Sequence, residues 1–226
     1  LGDVYKRQNY KDKMMGAAPR TSVYVDAFNL FFGSLKKTPY RWLDLQALCQ
    51  TYLPANDITA IKYFTALVSA RPNDPQQPVR QQTYLRAIET LPTVQIIYGH
   101  YLSHKVMARL ANPPEKGNAF VKVIKTEEKG SDVNLATHLL HDAHLDVFDV
   151  AVVISNDSDL LEPIKLVRSD LGKKVGVLNP QKRASRAILP HIDFMKQIRP
   201  GALARCQFPD VIHDRTHGTI TKPGVW

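Results

Sequence analysis

Cysteine is scarce in this chain. Cys49 and Cys206 share no metal-type spacing and build no disulfide framework. Both read as small buried hydrophobes, and a reducing, cytoplasmic setting is the expectation. No apolar run reaches membrane-spanning length, so no membrane partner is expected. The first twenty residues carry charges throughout and lack an apolar stretch, which argues against a secretory signal. Three familiar devices are missing too. Without a G-x-x-x-x-G-K-[ST] loop, a G-x-G-x-x-G fingerprint or a G-x-S-x-G elbow, the sequence gives no support to nucleotide binding by those means or to a serine hydrolase. Phe28 stands two residues after Asp26, where a phosphoaspartate phosphatase of the haloacid dehalogenase type carries a second Asp.

What the chain does have is positive charge. Its formal net charge is +9, and residues 1–13, with four basic and two acidic side chains, leave +7 for the remainder. Such a balance favours polyanionic partners. With 226 residues and 44% hydrophobic content, the chain is long enough for one domain with a sizeable core.

Apolar segments alternate in type along the chain. Strands are predicted at Thr21–Asp26, Ile58–Val68, Val94–Leu102, Val150–Ser155, Lys174–Leu178 and around Phe194–Ile198, with an exposed or edge strand at Phe120–Lys125. Helices are predicted at Trp42–Leu53, Gln76–Thr90, Ser131–Leu145, Ser158–Leu171 (closed by Gly172) and, briefly, near Ser185–Leu189. The fold class is therefore α/β, with a mainly parallel central sheet covered on both faces. Residues 1–20 read as a disordered leader, with Met14 or Met15 as a plausible natural start. Residues 21–198 form the domain, residues 103–119 within it a long surface loop, and 199–226 an extended C-terminal arm.

The most informative segment is AVVISNDSDLLEPI, residues 151–164, where a fully apolar run stops in a carboxylate-rich turn. Asp157 and Asp159 follow a buried strand, at the sheet edge where open α/β proteins bind ligands. Asp26 ends the first strand in the same way. Asp132 follows Ser131, a good N-cap, and on a helical wheel shares a side with Val133, Ala136, Leu139, Leu140 and Ala143. Taken alone, Asp132 also reads as a simple helix-start residue, and Asp157 and Asp159 as caps of the next helix. Together they imply one shared site, and four converging carboxylates need a cation. Oxygen ligands alone favour Mg²⁺ or Mn²⁺ over Zn²⁺. Such an ion orients phosphate and activates water, which points to a phosphodiesterase centre.

The same residues carry a family resemblance. VDAFNL (Val25–Leu30), KGSD (Lys129–Asp132) and SNDSDL (Ser155–Leu160) resemble the motifs of the NYN domains, the LabA-like branch of the PIN-like nucleases. The resemblance covers about residues 21–198. It implies a PIN-like, Rossmann-like three-layer sandwich and a metal-dependent ribonuclease, with Asp26, Asp132, Asp157 and Asp159 as the acids and Asn29 and Ser155 as polar supports. Ala27 and Asn156 replace glycines common in the family, and Leu160 replaces a common Phe; no carboxylate is lost. An alternative from another class is a catalytically silent RNA-binding or regulatory adaptor using the same cleft. A small-molecule phosphatase is a third.

The expected partner is RNA, single-stranded or structured. Lys182, Arg183 and Arg186 lie on a loop after another strand at the same edge and are candidate phosphate contacts, as are Lys129, Arg71 and Arg80. A solvated basic loop is the competing reading. His138, His141 and His144 recur every third residue, but His138 and His141 fall away from the apolar stripe and read as a solvated face. Phe28, Phe31 and Phe32 read as packing residues rather than base-stacking ones.

Overall fold

Alternating strands and helices build one six-stranded sheet in the computed structural model of the chain, which describes residues 17–226. The leader expected at residues 1–20 falls mostly on residues outside that range, and Arg20 already opens the first strand. The strands of this sheet are β1 (Arg20–Asp26), β2 (Asp57–Thr65), β3 (Val94–Tyr98), β6 (Val150–Ile154), β7 (Lys174–Asn179) and β8 (Phe194–Gln197). Their order is β3-β2-β1-β6-β7-β8 and every pairing is parallel.

Parallel strands covered on both faces read as unbroken apolar runs, and all five residues of β6 are buried. Along β1 the side chains alternate between two cores. Val23 and Val25 join the layer that holds α2 (Leu45–Tyr52) and α3 (Gln77–Glu89), whereas Tyr24 joins the layer of α4 (Ser131–His144) and α5 (Leu161–Lys165). The result is the expected three-layer α/β sandwich. The chain moves outward from β1 to β3, then returns to place β6 beside β1. That reversal leaves a crevice at the carboxyl ends of β1 and β6, the standard position for a ligand in such sheets.

Two expectations about connections are corrected. Strand three was expected to run to Leu102, followed by a loop over 103–119. The chain instead turns at Gly99 into β4 (His100–Arg109), which pairs with β5 (Phe120–Lys129) as a long antiparallel hairpin. A Cβ at Gly99 would lie 2.5 Å from Glu128 Oε1 and 2.6 Å from the Lys129 carbonyl, so only glycine permits this close crossing. The extended arm from Arg199 is likewise replaced by structure. It forms α6 (Pro200–Arg205) and a hairpin of β9 (Val211–Asp214) and β10 (Gly218–Thr221). Leu203, Phe208 and Ile220 are buried in the α2/α3 core, and the Trp226 ring meets Trp42 at 6.1 Å. Scattered apolar residues anchor this segment despite its prolines and glycines.

Smaller differences are local. The helix expected at Ser158–Leu171 begins as a 3-10 turn (Ser158–Leu160) and ends as a π turn (Leu166–Asp170), and Gly172, at φ +64°, closes it. The short helix near Ser185–Leu189 is a 3-10 turn at Leu189–His191.

The inner face of α4 passes through Leu135, Leu139, Asp142 and Ala143, and Val133 is 69% exposed rather than packed. Asp142 is buried there, 2.5 Å from Lys62 Nζ, and accepts a hydrogen bond from the Tyr24 phenol at 2.7 Å. His138 is half-buried beside them, with Nδ1 3.3 Å from Lys62 Nζ and its ring 5.6 Å from Phe64. Its expected place on a solvated face is therefore corrected, while His141 is exposed. Among the described residues, no helix is long and apolar enough to cross a membrane.

Candidate active site

The end of β1 supplies the first acid. Asp26 caps the short helix α1 (Ala27–Leu30), its Oδ1 accepting from the Asn29 amide at 2.9 Å. Its Oδ2 accepts from the Ser155 hydroxyl at 2.9 Å, and that hydroxyl in turn accepts from the Asp157 amide at 3.1 Å. One serine thus ties the ends of β1 and β6 together. Asn29 works similarly: its Oδ1 accepts from the Asn156 amide at 3.1 Å and from Gln181 Nε2 at 3.4 Å. The loop after β7 can come this close because Gly33 faces it. A Cβ at that position would stand 2.9 Å from the Pro180 carbonyl.

Asp26, Asp132 and Asp157 line one cavity of about 230 Å³ together with Glu128, Asn29 and Gln181. Asp159 stands apart. Asp157 caps the 3-10 turn by accepting from the Asp159 amide at 3.0 Å, which leaves Asp157 at the mouth and Asp159 exposed on the turn. The sequence expectation that all four acids share one position is corrected to that extent, though the charge on Asp159 still reaches Asp132.

Glu128 and Gln181 are site residues that sequence reasoning missed. Gly130, at φ +97°, occupies the cap position expected for Ser131, and Glu128 Oε1 accepts from the Ser131 amide at 3.1 Å and from its hydroxyl at 2.7 Å. A Glu three residues before Ser131 was a signal of that arrangement.

Burial and mutual repulsion set the electrostatics. The Asp26 carboxyl is pushed above its ordinary range mainly by burial, which outweighs its hydrogen bonds from Asn29 and Ser155. Asp132 is pushed up to about 6, first by burial and then by the charges of Asp26, Asp157, Glu128 and Asp159. Among the described residues none of these five carboxylates has an ion-pair partner, although eleven ion pairs form elsewhere. An oxygen-only set of unpaired acids suits a hard divalent cation in its chemistry. The cage is not closed as the side chains stand, since no three metal-ligating groups among the described residues come close enough together to enclose an ion.

The Asp132 shift has a measurable consequence. The folded state holds its proton up to about pH 6, whereas an unfolded chain releases it near 3.9. Between those values the folded state binds the extra proton, so stability falls as pH rises and the penalty is complete above pH 6. Asp132→Asn is expected to melt a few degrees above the wild type at pH 7.5 without added metal, at about 2–4 °C per kcal/mol. Near pH 4 the two should melt together. A variant that melts lower at both pH values would contradict this account.

The basic candidates divide into groups. Lys182 and Arg183 line a neighbouring cavity of about 680 Å³ with Asn156, Asp157 and Ser158. The Arg183 carbonyl accepts from Asn156 Nδ2 at 3.0 Å, which fixes the loop against the β6 turn. Arg186 is exposed farther along the same loop. Lys129 is 3.5 Å from Glu127 on β5. Arg80 is committed to Asp74 at 2.5 Å, while Arg71 bridges to Asp74 only through its backbone. Both border a third cavity, on the far side of Phe28 and Phe32 from the acids.

Comparison with known proteins agrees with this topology. The NYN domain family matches residues 20–191. The chain is 33% identical to the 6-hydroxy-3-succinoylpyridine 3-monooxygenase HspA of Pseudomonas putida, over 92% of this chain and 75% of that protein. It also superposes on the crystal structure of a Vibrio parahaemolyticus protein of unknown function, with a TM-score of 0.55 and 13% identity. That match covers 82% of this chain and 96% of the other. At that identity the likeness speaks for the fold alone.

Proposed function

Because the chain belongs to the NYN domain family, we propose that it hydrolyses RNA phosphodiester bonds with the help of Mg²⁺ or Mn²⁺. The observation that carries this reading is the group of unpaired carboxylates at the crevice between β1 and β6, beside a basic cavity. Asp26, Asp132 and Asp157 would hold the ion, with Glu128 and Asp159 within reach of the same charge. The ion would polarise the phosphoryl oxygens and make water acidic enough to attack in line.

The chain's own groups do the rest. Asp26 is fixed by Asn29 and Ser155 and serves as a rigid anchor. Asp132 stands at the start of α4 in the same cavity, where its carboxylate would help hold the ion or take up a proton from the attacking water. Lys182 and Arg183 would hold phosphates beside the cut bond, and Arg186, Lys129, Arg71 and Arg80 would extend that contact outward.

Purified protein with Mn²⁺ should cleave a labelled RNA, and Asp157→Asn should not. Failure of the wild type to cut, with RNA binding retained, would leave a silent adaptor. A second reading, action on a hydroxypyridine, is favoured by the 33% identity to the monooxygenase. Oxygen uptake dependent on a hydroxypyridine and a two-electron reductant, with no RNA cleavage, would establish it instead.

A further inference from the structure

The third cavity has the properties of a ring-binding site. It lies between α1, the end of β2 and α3, and is walled by Phe28, Phe31, Tyr63, Tyr84, Tyr101 and Trp226. Its volume is about 170 Å³, close to the ~150 Å³ of an engineered apolar cavity that takes up benzene. One six-membered ring fills such a space.

Its polar groups point to a ligand rather than to packing. Tyr63 is 7% exposed and Thr65 is 2% exposed, both border the cavity, and neither hydroxyl has a hydrogen-bond partner among the described residues. Two hydroxyls left open around one space can pair with a guest that carries polar edge atoms. Burial, and then the charge of Asp26, keep the Tyr63 phenol protonated and able to donate. At the rim, the guanidinium groups of Arg41 and Arg71 form no ion pair among the described residues, and Asp74 on the same lining, whose charge Arg71 feels, is paired with Arg80. The two guanidinium groups match an anionic substituent.

The cavity neighbours that of the acids across two shared rings. Phe28 and Phe32 line both spaces, and Tyr101 lies within the electrostatic reach of both Glu128 and Arg71. We propose that this cavity binds a single six-membered aromatic ring with hydrogen-bonding edge atoms and an attached anionic group, and presents it to the carboxylate centre. The proposal rests on the reading of that centre as the place of reaction. The ring has two possible sources, a pyrimidine nucleotide unit of RNA or a free aromatic acid.

Calorimetric titration of the full chain without metal separates them, with uridine 5′-monophosphate in one arm and 6-hydroxypyridine-3-carboxylate in the other. The arm that binds at least tenfold more tightly names the source, and comparable binding assigns the site to the shared ring chemistry. Val68→Phe places a ring into the cavity wall and should weaken binding at least tenfold. Tyr63→Phe, which removes one oxygen and no volume, should weaken it severalfold. Arg71→Gln at the exposed rim should weaken both anions while leaving uracil unaffected. Melting curves check that each variant is folded, and Tyr63→Phe decides the matter if Val68→Phe does not fold. Absence of binding in both arms, or wild-type affinity in folded Val68→Phe and Tyr63→Phe, overturns the proposal. RNA cleavage is scored separately. Ring binding without cleavage sinks the nuclease reading alone, and cleavage without ring binding sinks this one alone.

Discussion

Asp26→Asn is expected to reduce Mn²⁺-dependent RNA cleavage as severely as Asp157→Asn does. Partners that merely orient a metal ligand are worth about 10–100-fold, and Asp26 would hold the ion itself, so a loss beyond about 100-fold is expected. The fold should survive. The amide oxygen that remains after this change can still accept from the Asn29 backbone N–H and preserve the cap seen at 2.9 Å. The Ser155 hydroxyl loses its charged acceptor, but the buried charge that lifts the Asp26 carboxyl above its ordinary range is gone as well. Multiple-turnover cleavage together with a melting curve tests both halves. A variant that melts normally and cuts at the wild-type rate would remove Asp26 from the machinery.

The largest effect on stability is expected at Asp142→Ala. Lys62 and Asp142 are 14% and 7% exposed in their side chains and stand 2.5 Å apart under α4. Removing one partner of such a pair leaves the other charged, buried and alone, at a cost of about 3–5 kcal/mol. Here the Tyr24 phenol also loses its acceptor. Replacing both charges at once, with Lys62→Met and Asp142→Leu, should recover most of that loss, since a well-packed apolar pair avoids the desolvation penalty altogether. Urea denaturation of the two variants is the measurement. An Asp142→Ala protein within about 1 kcal/mol of wild type would show that the pair is far better hydrated than its burial indicates.

Features written locally in the chain are legible in its sequence. The unbroken Val150–Ile154 run and the Asp26 and Asp157 that follow apolar strands carried the sheet and the position of the acids, because a strand's end and a cap are decided by a few neighbouring residues. Contacts made over long distances were not readable. Glu128 reaches the acids only because β5 folds back along β4, and nothing between Ser103 and Ala119 announces that pairing as strongly as Pro113–Pro114 and Gly117 announce a loop. Gln181 enters through a loop whose approach depends on Gly33, far away in sequence. The D-x-D spacing of Asp157 and Asp159 suggested equal roles, but a 3-10 turn at that point turns one acid inward and leaves the other outside. His138 shows the same limit: the wheel angle was sound, yet Lys62 and Phe64 on β2 come up to meet it.

The hydrogen bond from Ser155 to Asp26 joins chain segments 129 positions apart. During synthesis or refolding, the β4–β5 hairpin can zip up from its own turn, whereas this bond must wait until β6 has slotted against β1. Closing so large a loop is slow. The acid cluster therefore exists only in a chain long enough to include β6, and no fragment that stops before Ser155 can hold Asp26 in this way.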